Sequence, residues 1–173
     1  MSDYPMLISN KLHSFRNFKG QSTNEMEIKK LTQSEKRMAM DLAWEVFIEF
    51  EGPDYPQEGT DHFRSFIDNT EMVGELEVYG AFDGNILAGM IALRSSGSHI
   101  SLFFVRKTYQ QRGIGKRLFE TAIRSGHAET ITVNSSPYAV GIYRRLGFTA
   151  VTGEKTENGI RFTPMEYKSE LKS

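Results

Sequence analysis

The residues that most directly imply chemistry are Gln110-Gln111-Arg112-Gly113-Ile114-Gly115. They follow an apolar run, Ile100 to Val105, and precede a helical pattern that buries Leu118, Phe119, Ala122 and Ile123. A strand that turns through glycines into a helix presents free backbone N–H groups and the positive end of a helix dipole. Such a corner binds phosphate. The glycines let the backbone approach a ligand closely, because no Cβ intervenes. Lys116 and Arg117 bring cationic side chains to the same place, although a solvated helix face would use them equally well. Two nucleotide motifs fail here. A Walker loop needs Ser or Thr after Gly115-Lys116, where Arg117 stands, and a glycine five positions before Gly115. A dinucleotide fingerprint needs a third glycine where Leu118 stands.

A second element lies downstream. Asn134 closes the apolar stretch Ile131 to Val133, and Ser135-Ser136-Pro137 leads into Ala139 to Leu146. That segment ends in Tyr143-Arg144-Arg145-Leu146-Gly147-Phe148. The Q-x-x-G-x-G loop resembles the acyl-coenzyme A pyrophosphate loop of the GNAT N-acetyltransferase superfamily. Asn134, followed by a helix carrying Y-R-R-L-G-F, resembles the other half of the same cofactor site, at a fitting separation. The resemblance covers about residues 26 to 170 and extends to small bacterial members whose substrates it does not reveal. It implies acetyl-coenzyme A as co-substrate and direct acetyl transfer to a primary amine in a ternary complex. Gln110, Gln111, Arg112, Gly113, Ile114, Gly115 and Lys116 would hold the pyrophosphate. Phe103, Phe104 and Val105 would pair with the pantetheine arm as an added strand would, and Asn134 would complete the cofactor site.

The reaction also needs an acid for the leaving thiolate and a base for the amine. The resemblance puts Tyr143 near the cofactor sulfur. A phenol near pKa ~10 can give its proton to a thiolate near ~8.5 at modest cost. The competing reading is a core aromatic, one turn from Ala139 and Leu146. His99, eleven residues before Gln110, heads the strand expected under the acceptor site, where some protein-modifying members carry a glutamate. A histidine near pKa ~6.5 could relay the amine proton through water; a loop histidine at a strand edge is the alternative. His13, His62 and His127 read as surface residues. No metal-ligand spacing appears, and no metal is expected. The resemblance places the acceptor against the segment joining the first two helices, Glu49 to Glu58. It carries Glu49, Glu51, Asp54 and Glu58 with Phe50 and Tyr55. Of these, Phe50, Glu51 and Tyr55 are the candidate substrate contacts. Carboxylates and aromatic faces attract an ammonium, though a solvated acidic loop would look the same. A non-catalytic acyl-coenzyme A sensor would keep the loop and lose the acid, so Tyr143 argues against it.

Composition narrows the classes. The chain has 173 residues, 21 Lys and Arg against 22 Asp and Glu, and a net charge of −1. Its pI is about 6.4. The basic pairs Lys29-Lys30, Lys116-Arg117 and Arg144-Arg145 are isolated and not interleaved with stacking aromatics, which disfavours nucleic acid as a partner. Without cysteine, disulfides, cysteine–zinc sites and a cysteine acyl-enzyme are excluded. No apolar run approaches the ~20 residues of a membrane span, and the N-terminus lacks a signal-peptide pattern. A cytoplasmic enzyme with a small-molecule or peptide amine acceptor is expected; a homodimer is left open.

These side chains must be positioned by a mixed fold. Residues 1–25 read as an N-terminal extension and 26–173 as one domain. Met26 to Leu31 suits a strand. Thr32-Gln33-Ser34-Glu35 reads as a capping box, followed by a helix burying Ala39, Leu42, Ala43, Val46, Phe47 and Phe50. Gly52-Pro53 ends it, and Thr60 could cap a short helix burying Phe63, Phe66 and Ile67. Val78 to Phe82 and Ile86 to Leu93 flank Asp83-Gly84, a hairpin signal. Strands then follow at Ile100 to Val105 and Thr130 to Val133, with helices after each. Thr149 to Glu154 and Ile160 to Tyr167 predict a closing hairpin around Asn158-Gly159. The order is β-α-α-β-β-β-α-β-α-β-β, an α/β fold. The resemblance implies a mostly antiparallel sheet of about seven strands with helices on both faces.

Overall fold

The computed structural model describes residues 25–169. The expected N-terminal extension, apart from Glu25, lies outside the described residues. The elements are β1 (Glu27–Lys30), α1 (Lys36–Phe50), a 3-10 turn (Gly52–Asp54), α2 (Gln57–Asp68), α3 (Thr70–Glu75), β2 (Glu77–Asp83), β3 (Ile86–Arg94) and β4 (His99–Val105). A second 3-10 turn (Lys107–Tyr109) leads to α4 (Ile114–Ser125), β5 (Thr130–Ser135), α5 (Val140–Leu146), β6 (Thr149–Ala150), β7 (Lys155–Glu157) and β8 (Ile160–Lys168). The sheet runs β1-β2-β3-β4-β5-β8-β6, with β7 paired to β8 off that path. Every pairing is antiparallel except β4 with β5.

Apolar periodicity explains the layers. β3 and β4 are buried almost throughout because both sheet faces are covered. On one face α1 and α2 bring Ala39, Leu42, Phe47 and Phe63 against Met90, Leu102 and Phe104. Phe47 and Phe63 stack with ring centroids 4.3 Å apart. Truncating a buried aromatic such as Phe63 to Ala costs about 3–5 kcal/mol. On the other face Leu118, Phe119 and Ala122 of α4 and Tyr143 of α5 meet Ile91, Phe103 and Val133.

The differences from the sequence-based elements have local causes. Of the strand expected over Thr149 to Glu154 only Thr149–Ala150 forms, as β6, and a separate short strand, β7, follows at Lys155–Glu157, so the described residues hold eight strands. Asn158 and Gly159 do make the tight β7–β8 turn, both with positive φ. In the first hairpin Asp83 still pairs with Ile86, so the loop is Gly84-Asn85. α3 is only six residues with one buried side chain, Val73, too short to show a period. α2 begins at Gln57 behind Pro56, and Thr60 lies inside it. The capping box is half formed. The Glu35 carboxylate accepts the Thr32 N–H at 2.9 Å, but the Thr32 hydroxyl also donates to it, at 3.0 Å, instead of capping the helix. Lys29 first, then Thr32, holds the Glu35 carboxyl down to about 2.

Candidate active site

The site begins where two neighbouring strands part. β4 and β5 pair only at His99 with Thr132 and Ile100 with Val133. From Ser101 onward, among the described residues, only β3 pairs with β4. The Arg106 N–H bonds the Ala88 carbonyl at 2.8 Å. Antiparallel alternation therefore commits the backbone groups of Phe104 and Leu102 to β3 and turns those of Phe103 and Val105 toward the gap. This removes Phe104 from the expected pantetheine contacts. Its side chain also lies in the opposite core, 6.0 Å from the Phe63 ring. Phe103 and Val105 keep the expected placement.

The glycine loop closes one end of the gap. Gln111 has φ +61 and Gly113 φ +75, a left-handed reversal that aims successive N–H groups outward at the start of α4. A Cβ on Gly113 would meet nothing within 4 Å, and one on Gly115 would meet only Phe103 at 3.5 Å. Gly113 thus faces open space and Gly115 lies against the Phe103 ring at ordinary contact distance. Gln110 is committed inward, donating to the Val105 carbonyl at 3.0 Å. A cavity of about 280 Å³ opens here, lined by Phe103 and Val105, by Gln110 to Lys116 except Arg112, and by Arg145. Arg112 instead lies over the Tyr109 ring, 5.2 Å from its centroid. Arg117 donates to the Met26 carbonyl at 2.9 Å. Lys116, on the cavity wall, has an exposed side chain 3.8 Å from Glu120.

Tyr143 is 0% exposed and sits edge-on to Phe148 at 5.1 Å. It does not line the cavity, whose α5 wall is Ile142, Arg145 and Leu146. Burial first, then the Glu51 charge, pushes its hydroxyl well above the ordinary phenol value. Asn134 is buried one residue beyond the last β4–β5 pair. His99 is 8% exposed, not a loop residue. Its Nδ1 lies 2.7 Å from the Thr132 hydroxyl, which donates to the Ser98 carbonyl at 3.3 Å. That pattern makes Nδ1 the donor and leaves Nε2 a buried lone pair without a partner. Burial, then Arg94, pulls the imidazole down to about 4. That value lies below the ~6.5 expected of a proton relay and makes the ring a weaker base than a free imidazole.

The acidic segment divides. Glu49 is half-exposed and lies 3.9 Å from Lys107. Phe50 is partly buried, with the Lys107 Nζ 5.8 Å from its ring centroid. Glu51 is 1% exposed and neither carboxylate oxygen has a partner. Burial, then Asp54, raises it well above the usual carboxylate range. The Tyr55 hydroxyl is likewise buried without a partner, and burial first raises it above the ordinary phenol value. A second cavity of about 270 Å³ is lined by Asp54, Tyr55, Pro56, Pro137, Tyr138, Thr156, Gly159 and Arg161. Tyr138 donates to Asp54 at 2.5 Å. The sequence reading missed Tyr138, Arg161 and Ser101. The last is the extra residue of a β4 bulge, with a buried hydroxyl lacking a partner. No local spacing announces Tyr138 and Arg161, because they meet only where the β5–α5 loop approaches the last hairpin. Among the described residues no group of three His, Asp or Glu could hold a metal, and no helix is long and apolar enough to cross a membrane.

Comparison with solved structures gives the same fold. A GCN5-related N-acetyltransferase from Rhodopseudomonas palustris matches with a TM-score of 0.71 at 17% identity, over 87% of this chain and 99% of that one. The PaiA N-acetyltransferase of Thermoplasma acidophilum, in complex with coenzyme A, matches with 0.65 at 20% identity, over 84% and 99%. An acyl-CoA N-acyltransferase from Pseudomonas aeruginosa matches with 0.61 at 21% identity, over 83% and 99%. Comparison with the curated proteins gives no match. The model of the acetyltransferase (GNAT) domain matches residues 51–169, well over half of the chain. That span takes in the parted strands, the glycine loop and both cavities, and this chain belongs to the GNAT acetyltransferase family, an acyltransferase built for acyl transfer from acyl-coenzyme A.

Proposed function

We propose that this chain moves an acetyl group from acetyl-coenzyme A to a primary amine by direct attack, with both substrates bound. The observation that carries the reading is the gap between β4 and β5 facing a glycine loop at the start of α4. Acetyl-coenzyme A brings the activated thioester. Gly113, Gly115 and the neighbouring N–H groups would hold its pyrophosphate against the helix start. The cleft-facing backbone of Phe103 and Val105 would bind the amides of the pantetheine arm, as one strand binds another. Asn134 lies at the fork where that arm would end. Tyr143 would protonate the leaving sulfur. Burial keeps this hydroxyl protonated at neutral pH and also raises the cost of giving its proton to a thiolate above that of an ordinary phenol. Residues 26–173 act in this reading as one domain.

The second cavity supports an enzyme over a sensor, because a protein that only bound the cofactor has no need of a lined acceptor site. Its walls carry one carboxylate, Asp54, and one guanidinium, Arg161, beside the rings of Tyr55 and Tyr138; the carboxylate and the aromatic faces suit an amine. Calorimetry with coenzyme A, then thiol release from acetyl-coenzyme A across a panel of primary amines, tests the reading. Binding without turnover of any amine leaves only the sensor. No binding removes both.

A further inference from the structure

Glu51 is the most anomalous group in the molecule. It ends α1, its N–H bonded to Phe47 O at 2.9 Å, and its carboxyl is sealed from water with no hydrogen-bond partner. An unpaired buried carboxyl is destabilising, and such groups persist where a ligand completes them. Its backbone carbonyl accepts the Asp54 N–H at 2.9 Å. Asp54 and Tyr55 line the second cavity, so Glu51 stands in the turn that builds that wall without itself being part of the lining. Burial first raises the hydroxyls of Tyr55 and of Tyr143, the candidate acid, and the Asp54 hydrogen bond first raises that of Tyr138; the Glu51 charge adds to all three. Asp54 bears on it in turn. Asp54 and Tyr55 at the 3-10 turn, Tyr138 of the β5–α5 loop and Tyr143 of α5 are the titratable groups whose charge is felt at Glu51 or that feel its own. One buried, unpartnered carboxyl thus sits in the turn whose next residues line the second cavity.

We propose that Glu51 seats the acceptor's ammonium group and takes its proton, the role the sequence had pointed toward His99. The inference rests on the amine-acetylation reading. An arriving ammonium displaces the Glu51 proton to solvent and pairs with the carboxylate. Glu51 then takes one proton back from nitrogen and frees its lone pair. The C–N bond forms as the C–S bond breaks. Sulfur keeps that electron pair and takes the Tyr143 proton, and the second nitrogen proton refills Tyr143. One ammonium and one thioester become one amide, one thiol and one proton. Burial that raises the carboxyl also makes it a stronger base, closer to the amine it must deprotonate.

The test compares Glu51→Gln with the unaltered chain on two probes, acetyl-coenzyme A being the donor. Ethylamine is an ammonium at neutral pH. 2,2,2-Trifluoroethylamine is largely neutral there, because fluorine withdraws electrons from nitrogen. The substitution should lower the ethylamine rate by about 10²–10⁴-fold and the trifluoroethylamine rate by no more than about tenfold. Coenzyme A affinity should hold. The unaltered chain should show an ascending limb in its kcat/KM profile for ethylamine, above the ordinary carboxylate range, and Glu51→Gln should lack it. Equal losses on both probes, or no loss on either, would make Glu51 structural and overturn the proposal. Should Glu51→Gln fail to fold, the profile of the unaltered chain decides: no ascending limb, no base of this kind. An unaltered chain that binds coenzyme A yet acetylates neither probe overturns it as well. Loss of coenzyme A binding would instead strike at the cofactor assignment.

Discussion

The two cavities, nearly equal in size, are built from different materials. The first cavity, of about 280 Å³ and proposed for the cofactor, is framed largely by backbone: a left-handed turn at Gly113, the helix start at Gly115, and the cleft-facing groups of Phe103 and Val105. The second cavity, of about 270 Å³ and proposed for the acceptor, is lined by residues drawn from the turn after α1, the β5–α5 loop and the last hairpin. A backbone site leaves a compact signature, because few sequences make such a turn. A side-chain site spread over three segments leaves none, and its residues can change without disturbing the sheet. In the proposed reading the first site holds the cofactor and the second the acceptor.

The sharpest way to join the two halves is Tyr143→Phe. It keeps the ring against Phe148 and removes the donor, so kcat should fall by about 10²-fold, within the range of general-acid effects. Stability and cofactor affinity should hold. Lost stability with kcat intact would make Tyr143 a core aromatic alone.

His99 tests whether the fork between the cavities is architecture. Its folded-state value, about 4, lies below the unfolded ~6.5. The stability this represents is present above pH ~6.5 and is lost as pH falls toward 4, about 3 kcal/mol in all. Urea unfolding at a series of pH values should show that loss, and His99→Gln should flatten it. A kcat/KM limb between pH 6 and 7 that disappears in His99→Gln would return His99 to the proton path.

Gly115→Val challenges the backbone character of the cofactor side. Its Cβ has ordinary room against Phe103, so the fold should survive while coenzyme A affinity drops at least about tenfold, ~1.4 kcal/mol. Unchanged affinity by calorimetry would separate the loop from the cofactor. Gly115→Ala should hold or raise the melting temperature, since Ala exceeds Gly in helix propensity by roughly 1 kcal/mol.

The smallest effect is expected on the acceptor side. Asp54→Asn removes the charge that Tyr138 donates to and should raise the KM of a cationic amine a few-fold, about 1 kcal/mol. If KM and its salt dependence stay the same, the acidic turn plays no part in drawing the amine.

How much could be read beforehand follows the same division. β3, β4 and α4 were legible because long apolar runs or clear periods mark them, and the loop because its glycines and its flanking elements are contiguous. α3 was not, with a single buried residue. β6 and β7 were not, because their side chains are almost all exposed and only pairing with β8 defines them. Glu51 was readable as acidic but not as buried. Its neighbours Tyr138 and Tyr143 lie far along the chain, and no spacing rule brings them together.

The fork of β4 and β5 also fixes how the molecule should look to solvent deuterium. Residues Leu102 and Phe104 have amides locked on β3, whereas the alternate amides of Phe103 and Val105 face the gap while their side chains stay buried. Two of four consecutive amides should exchange fast in a strand that is otherwise among the most protected in the protein. A ligand lying in the gap as an extra strand would silence that alternation, and the every-other-residue pattern would vanish without any element changing its fold.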